Sequence, residues 1–271
     1  MPFFYHDAIQ FHFADTGSGL PFFFQHGLGA DVSQPFSLFK PPAGIRLLAF
    51  DARAHGQTNP VGPLDKINLA TFADDMLALM DYLRLQQSII GGISMGAAMA
   101  LNFTLRFPSR VVGLILSRPA WLDGPNPWNV KMFSLIARLI REHGPKRGQE
   151  LFVQTREYAE TLGLYPDVAK SLRTQFEHPR AEENTINLER IPRDTPSSDR
   201  REWASIRVPT LVLANRQDPI HPFEYGETCA RMIPGAGFKE ITAKSVSVEQ
   251  HGRDVQQSME EFLQRRFLCA L

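Results

Sequence analysis

The rhythm of apolar and polar residues changes several times along the 271-residue chain. Residues 9–14 (Ile-Gln-Phe-His-Phe-Ala) alternate, which predicts a strand with one face covered. Thr16-Gly17-Ser18-Gly19 then breaks the pattern with a turn. Residues 21–25 (Pro-Phe-Phe-Phe-Gln) form a continuous apolar run, the pattern of a strand covered on both faces, and residues 45–50 read the same way. Each run ends in a polar, glycine-containing stretch: His26-Gly27-Leu28-Gly29 and Asp51-Ala52-Arg53-Ala54-His55-Gly56. Phe72, Met76, Leu79, Met80 and Leu83 follow a helical period, with Thr71-x-x-Asp74 as a capping box at its start. Residues 88–92 predict a short strand, and 95–107 a helix stopped at Pro108. Residues 111–116 and 210–214 predict further strands, 238–242 a weaker one, and 255–267 a closing amphipathic helix.

Strands alternating with helices predict an α/β protein with a mostly parallel central sheet and helices on both faces. Residues 119–206 break the alternation. They carry helical patterns at 128–143, 148–162 and 167–177 and no convincing strand, so an inserted helical cap is expected there. The core domain is then 1–118 together with 207–271.

Composition narrows the function classes. Lysine plus arginine total 29 and aspartate plus glutamate total 29, so net charge gives no reason to expect a nucleic-acid partner. With 43% apolar and 21% charged residues the chain reads as an ordinary globular protein. No apolar run approaches membrane-spanning length, so no membrane partner is expected. Met1-Pro2-Phe3-Phe4-Tyr5-His6-Asp7 does not have the form of a signal peptide. Two cysteines, Cys229 and Cys269, make no disulfide framework and suit a reducing compartment, so a cytoplasmic location is expected. Ten of the 20 phenylalanines fall within the first 50 residues, where the pattern assigns most of them to strand core.

The candidate chemistry begins at Gly92-Ile93-Ser94-Met95-Gly96, a G-x-S-x-G pattern between a predicted strand and a predicted helix. Such a turn strains the serine backbone, exposes its hydroxyl and places it at a helix N-terminus. Ser94 is therefore the candidate nucleophile. It needs a base, and the base needs an acid to orient it. Of eight histidines, His251 lies past the last predicted strand and is the expected base. His221 lies three residues after Asp218, too close for the separate loop expected of a base. Asp218, in the Pro-containing loop after the strand at 210–214, is the expected acid, with Asp123 as the rival. The N–H groups of Leu28 and Met95 are the expected oxyanion donors.

These residues carry a resemblance. His26-Gly27, Asp51-x-Arg53-x-His55-Gly56, Gly92-x-Ser94-x-Gly96, Asp218 and the late His251 resemble the α/β-hydrolase fold superfamily, in the order serine, aspartate, histidine. The resemblance implies hydrolysis through an acyl-serine, with no cofactor and no metal, and a structural role for Asp51, Arg53 and His55. The glycine-rich segments are most similar to those of small-molecule esterases and lactonases. The alternatives are a carbon–carbon bond hydrolase, a haloperoxidase-like perhydrolase and a non-catalytic ligand receptor. One departure touches the base: Gln250 precedes His251 where the family often has glycine, after a long approach over 243–249. In the cap, Trp121, Trp128, Met132 and Phe133 are the candidate substrate-binding residues. The cap carries as many acidic as basic residues, so bulk charge selects no substrate. The expected partner is a small-molecule substrate, with the protein a monomer or homodimer.

Overall fold

The computed structural model describes residues 2–125 and 127–268; Cys269 lies outside them. Among these residues, eight strands form one sheet. They are β1 (Phe3–His6), β2 (Ile9–Gly17), β3 (Gly19–Gln25), β4 (Gly44–Phe50), β5 (Ser88–Ile93), β6 (Val111–Ser117), β7 (Thr210–Ala214) and β8 (Gly237–Glu240). Their order is β1-β2-β4-β3-β5-β6-β7-β8. β2 pairs antiparallel with β1 and β4, and every other pairing is parallel. The expected α/β fold with a mostly parallel sheet is therefore present.

The phenylalanine-rich β3 lies at the centre, between β4 and β5. Successive side chains of a strand point to opposite faces. Phe23 accordingly joins the core beneath helices α2 (Leu69–Tyr82) and α3 (Met95–Arg106), together with Phe72, Met76 and Phe103. Phe22 and Phe24 join the opposite core with Val255, Met259 and Leu263 of the last helix. All three phenylalanines are fully buried, and each such burial is worth roughly 1.5–3 kcal/mol. Helix α1 (Ser33–Leu38) shares this second face.

Helices α4 (Lys131–Phe152), α5 (Arg156–Leu164), α6 (Pro166–Thr174) and α7 (Ala181–Arg190) all lie between β6 and β7. The predicted helix at 148–162 is divided in the structure. α4 kinks at Gly144, with φ 75° and ψ 166°, and runs on to Phe152. The Thr155 side chain then accepts from Tyr158 N–H and starts α5 as a new helix. α7 is absent from the sequence expectation, because Asn184, Thr185 and Asn187 are buried polar residues that blur its apolar stripe. α8 (Phe223–Met232) follows β7 and α9 (Val248–Leu263) follows β8.

Helix starts also differ from expectation. Asn68, not Thr71, caps α2: its side chain accepts the Thr71 N–H at 2.7 Å. Ser247 caps α9, which therefore begins seven residues before the expected 255. No helix of the described residues is long and apolar enough to cross a membrane.

The loop after β4 is held by a buried ion pair. Arg53 makes two 2.7 Å bonds to Asp75 of α2 and reaches Asp7 at 2.9 Å. Removing one partner of such a pair leaves a buried charge uncompensated. Asp75→Ala is expected to lower the unfolding free energy by roughly 3 kcal/mol in urea titrations; a change below about 1 kcal/mol would show that Asp7 alone satisfies Arg53.

Candidate active site

Ser94 occupies the turn between β5 and α3, with φ 56° and ψ −111°. This strained geometry depends on close approach. A Cβ on Gly92 would lie 2.2 Å from the Gly96 carbonyl carbon, and one on Gly96 would lie 2.4 Å from the Gln25 carbonyl oxygen. The two glycines thus let β3, β5 and α3 meet at one point. Ser94 stands at that point on the wall of a pocket of ≈ 100 Å³. Leu28, Arg118, Asp218, His221 and Lys244 line the same pocket.

The loop after β3 is built around two buried histidines. His26 Nδ1–H donates to the Gly27 carbonyl at 2.8 Å, and its Nε2 accepts the Ala52 N–H at 3.1 Å. His55 Nε2 accepts the Gly29 N–H at 3.1 Å. The Gly27 N–H is taken by Gln34. Between these bonded neighbours, the Leu28 N–H has no acceptor among the described residues. Met95 N–H, the first of α3, has no preceding helical carbonyl to bond. Asp51 accepts from Val32 and Gln57 N–H groups and from His12. Asp51, Arg53 and His55 therefore brace the loops around the pocket and do not line it.

Asp218 is the most heavily bonded group of the site. Oδ1 accepts the N–H groups of Ile220 and His221 at 3.1 and 3.2 Å. Oδ2 accepts from the Arg118 guanidinium and lies 2.9 Å from His221 Nδ1. Burial works to raise the pKa of this carboxyl, but His221 and Arg118 outweigh it and hold the group well below the usual carboxylate range. His221 Nδ1 sits between Asp218 Oδ2 at 2.9 Å and the Arg118 guanidinium at 3.0 Å; in the tautomer that donates to the ionised carboxylate the proton is on Nδ1. Nε2 then carries the lone pair, and that atom is buried without a hydrogen-bond partner among the described residues. Burial pushes the His221 pKa down and keeps the ring neutral.

His251 lies near enough to feel the charges of Arg118, Lys244 and Asp218, and its Nε2 too is buried without a hydrogen-bond partner among the described residues. Because α9 starts at Val248, His251 falls within its first turn and its N–H bonds the Ser247 carbonyl. Its Nδ1–H donates to the Thr242 carbonyl at 2.8 Å. Burial, reinforced by the charge of Arg118, pushes its pKa down to about 4. The expected pairing of Asp218 with His251 is thus not formed, and Asp218 pairs with His221. The close spacing that argued against His221 is what allows the contact: the turn through Pro219 brings a ring three residues away back onto the carboxylate. The rival Asp123 is bound to Arg200.

The four aromatic and methionine candidates separate. Phe133 lines the Ser94 pocket. Trp128, 62% exposed, and Met132 line a neighbouring groove of ≈ 200 Å³. That groove shares Val168 and Ile220 with the Ser94 pocket. Trp121 is buried in the core and its Nε1–H has no partner among the described residues.

A family model described as the alpha/beta hydrolase fold matches residues 21–251, which span the strand of His26, the Ser94 turn and the Asp218 loop. The chain belongs to the α/β-hydrolase fold family. It is 29% identical over 231 residues to an AB hydrolase superfamily protein, YisY, of Bacillus subtilis, covering 81% of this chain and 82% of that one. It is 26% identical over 262 residues to 3-oxoadipate enol-lactonase 2 of Acinetobacter baylyi, covering 89% and 93%. A solved thermophilic esterase from Thermogutta terrifontis, with malate bound, superposes with a TM-score of 0.73 at 26% identity over 95% of this chain and 94% of that one.

In this α/β hydrolase, Arg118, His221 and Lys244 are the pocket residues that sequence reasoning passed over. All three follow the carboxyl ends of strands, β6, β7 and β8 respectively. That edge collects functional loops in such sheets, and it was the available signal.

Four buried histidines of the α/β hydrolase, His26, His55, His221 and His251, have lowered pKa values, each mainly through burial. Below the ordinary histidine pKa of about 6.5 the unfolded chain binds protons that the folded chain refuses. Stability should therefore fall as pH drops from about 6.5 toward about 4, by up to about 1.4 kcal/mol per pH unit for each group. Urea unfolding at a series of pH values checks this; a flat profile over that range would contradict neutral burial of these rings.

Proposed function

We propose that the protein is a serine-nucleophile hydrolase of a small carboxylic ester or lactone. The observation that carries this reading is the strained Ser94 turn opening into the pocket that also holds the Asp218–His221 pair. Two relatives, an enol-lactonase and an esterase, support the reaction class.

In this reading, Ser94 Oγ attacks the substrate carbonyl and His221 Nε2 takes its proton. Asp218 holds the ring through Nδ1 and stabilises the imidazolium, and the Leu28 and Met95 N–H groups receive the oxyanion. Collapse expels the alkoxide, which takes the proton from His221. Water, deprotonated by the same ring, then attacks the acyl-serine and releases the carboxylic acid. Arg118 keeps Asp218 ionised throughout, so the ring always has an acceptor for Nδ1–H. The pocket is small, ≈ 100 Å³, which favours a short acyl group.

A fluorophosphonate probe is expected to label the wild type and not Ser94→Ala. His221→Ala should lower kcat by about 10²–10⁴, the range for loss of a general base. His251→Gln should lower it by less than about tenfold, and the opposite ranking would return the role of base to His251. Because burial holds His221 neutral, kcat/KM should stay level as pH falls through about 6.5, the ordinary histidine value. Esters of acetate and propionate should turn over faster than those of octanoate.

A further inference from the structure

The Ser94 pocket is lined by four ionisable side chains besides His221: Arg118, Asp167, Asp218 and Lys244. Two cations face two carboxylates, but only one direct pair is formed among the described residues. Arg118 and Asp218 neutralise each other in a direct ion pair. Asp167 lies in the first turn of α6, where the helix N-terminus favours a carboxylate. Lys244 remains. It stands in the loop after β8, half-buried, and no hydrogen bond or ion pair reaches its ammonium from the described residues. Burial, together with repulsion from Arg118, pushes its pKa down to about 8 and outweighs the attraction of Asp218 and Asp167, neither of which it bonds directly. A cation in such a place gains most from an anionic ligand, since a charge-assisted hydrogen bond is roughly twice as strong as a neutral one.

The geometry of the pocket limits the ligand. Lys244 and Ser94 line one volume of ≈ 100 Å³, so a group bound to Lys244 is covalently near the carbonyl presented to Ser94. Asp167 Oδ1 is buried without a hydrogen-bond partner among the described residues. Asp167 attracts Lys244 only through space, so the ammonium keeps its hydrogen-bonding capacity for a ligand.

We propose that Lys244 is the specificity-determining residue of this pocket and that the substrate is a short ester or lactone carrying a carboxylate, which the Lys244 ammonium binds. This deepens the hydrolase reading above and rests on it.

The test compares monomethyl succinate with methyl butyrate, a pair matched in acyl length and differing in one carboxylate. Turnover is followed by methanol release with the purified full-length protein. The wild type should prefer the carboxylate-bearing ester. Lys244→Met should shrink the ratio of the two kcat/KM values by roughly tenfold to a hundredfold, mainly through KM, the range for one charge-assisted hydrogen bond. Lys244→Arg, which keeps the charge, should retain most of the ratio. Equal rates for the two esters in the wild type, or a ratio unchanged in Lys244→Met, would overturn the proposal while leaving Ser94-dependent hydrolysis intact. Calorimetric titration of succinate into Ser94→Ala adds a readout independent of turnover. Binding should weaken by the same factor in the double variant Ser94→Ala, Lys244→Met. Succinate binding that depends on Lys244, with neither ester hydrolysed, would sustain the carboxylate site and overturn the hydrolase reading alone. Succinate binding that ignores Lys244 would overturn the site.

Discussion

The close approach of β3, β5 and α3 is the contact on which the rest of the site depends. It exists only because Gly92 and Gly96 present hydrogen where any larger group would meet backbone at 2.2–2.4 Å. That contact accompanies the positive φ of Ser94, directly before the first residue of α3. It also sets the His26–Gly29 loop against the serine: a Cβ on Gly27 would lie 3.5 Å from the Ser94 Cβ. Three fully buried phenylalanines of β3 hold this arrangement from both faces of the sheet. Core packing and site geometry are thus one construction, and strain at Ser94 is sustained by burial several residues away.

A second constraint organises the polar side of the pocket. One carboxylate, Asp218, receives two backbone N–H groups, the Arg118 guanidinium and the His221 ring. Its acceptor sites are then occupied. His251 is left to bond the Thr242 carbonyl, and the loop after β8 presents Lys244 to the pocket in place of a histidine. The two imidazoles are thus held by different acceptors, His221 by a carboxylate and His251 by a backbone carbonyl.

Much of this was legible in the residues themselves. The continuous apolar run at 21–25 marked a doubly covered strand, because a strand buried on both faces has no polar alternation. The glycines flanking Ser94 marked the turn, because few other residues permit it. Other features were not legible. Asn68 and Ser247 start helices earlier than the apolar period suggests, since a cap needs only one side-chain acceptor and leaves little periodic trace. His221 was set aside on spacing, although a proline-containing turn folds it back onto its near neighbour. Trp121 and Trp128 look alike as bulky apolar residues, yet one is core and the other is 62% exposed.

What the sequence determined by itself was the parallel sheet, the helix-covered faces, the strand–turn–helix around Ser94 and the loop that carries Asp218, because each is a local pattern of apolarity, glycine and chain order. What only the tertiary structure decided was the pairing among ionisable groups. Arg118, Asp218, His221 and Lys244 come from three loops separated along the chain by as much as 126 residues, and only the lateral order of β6, β7 and β8 brings them to one edge. Hydrogen-bond partners are chosen by distance and desolvation once that edge exists, and neither quantity is encoded in any local stretch of residues.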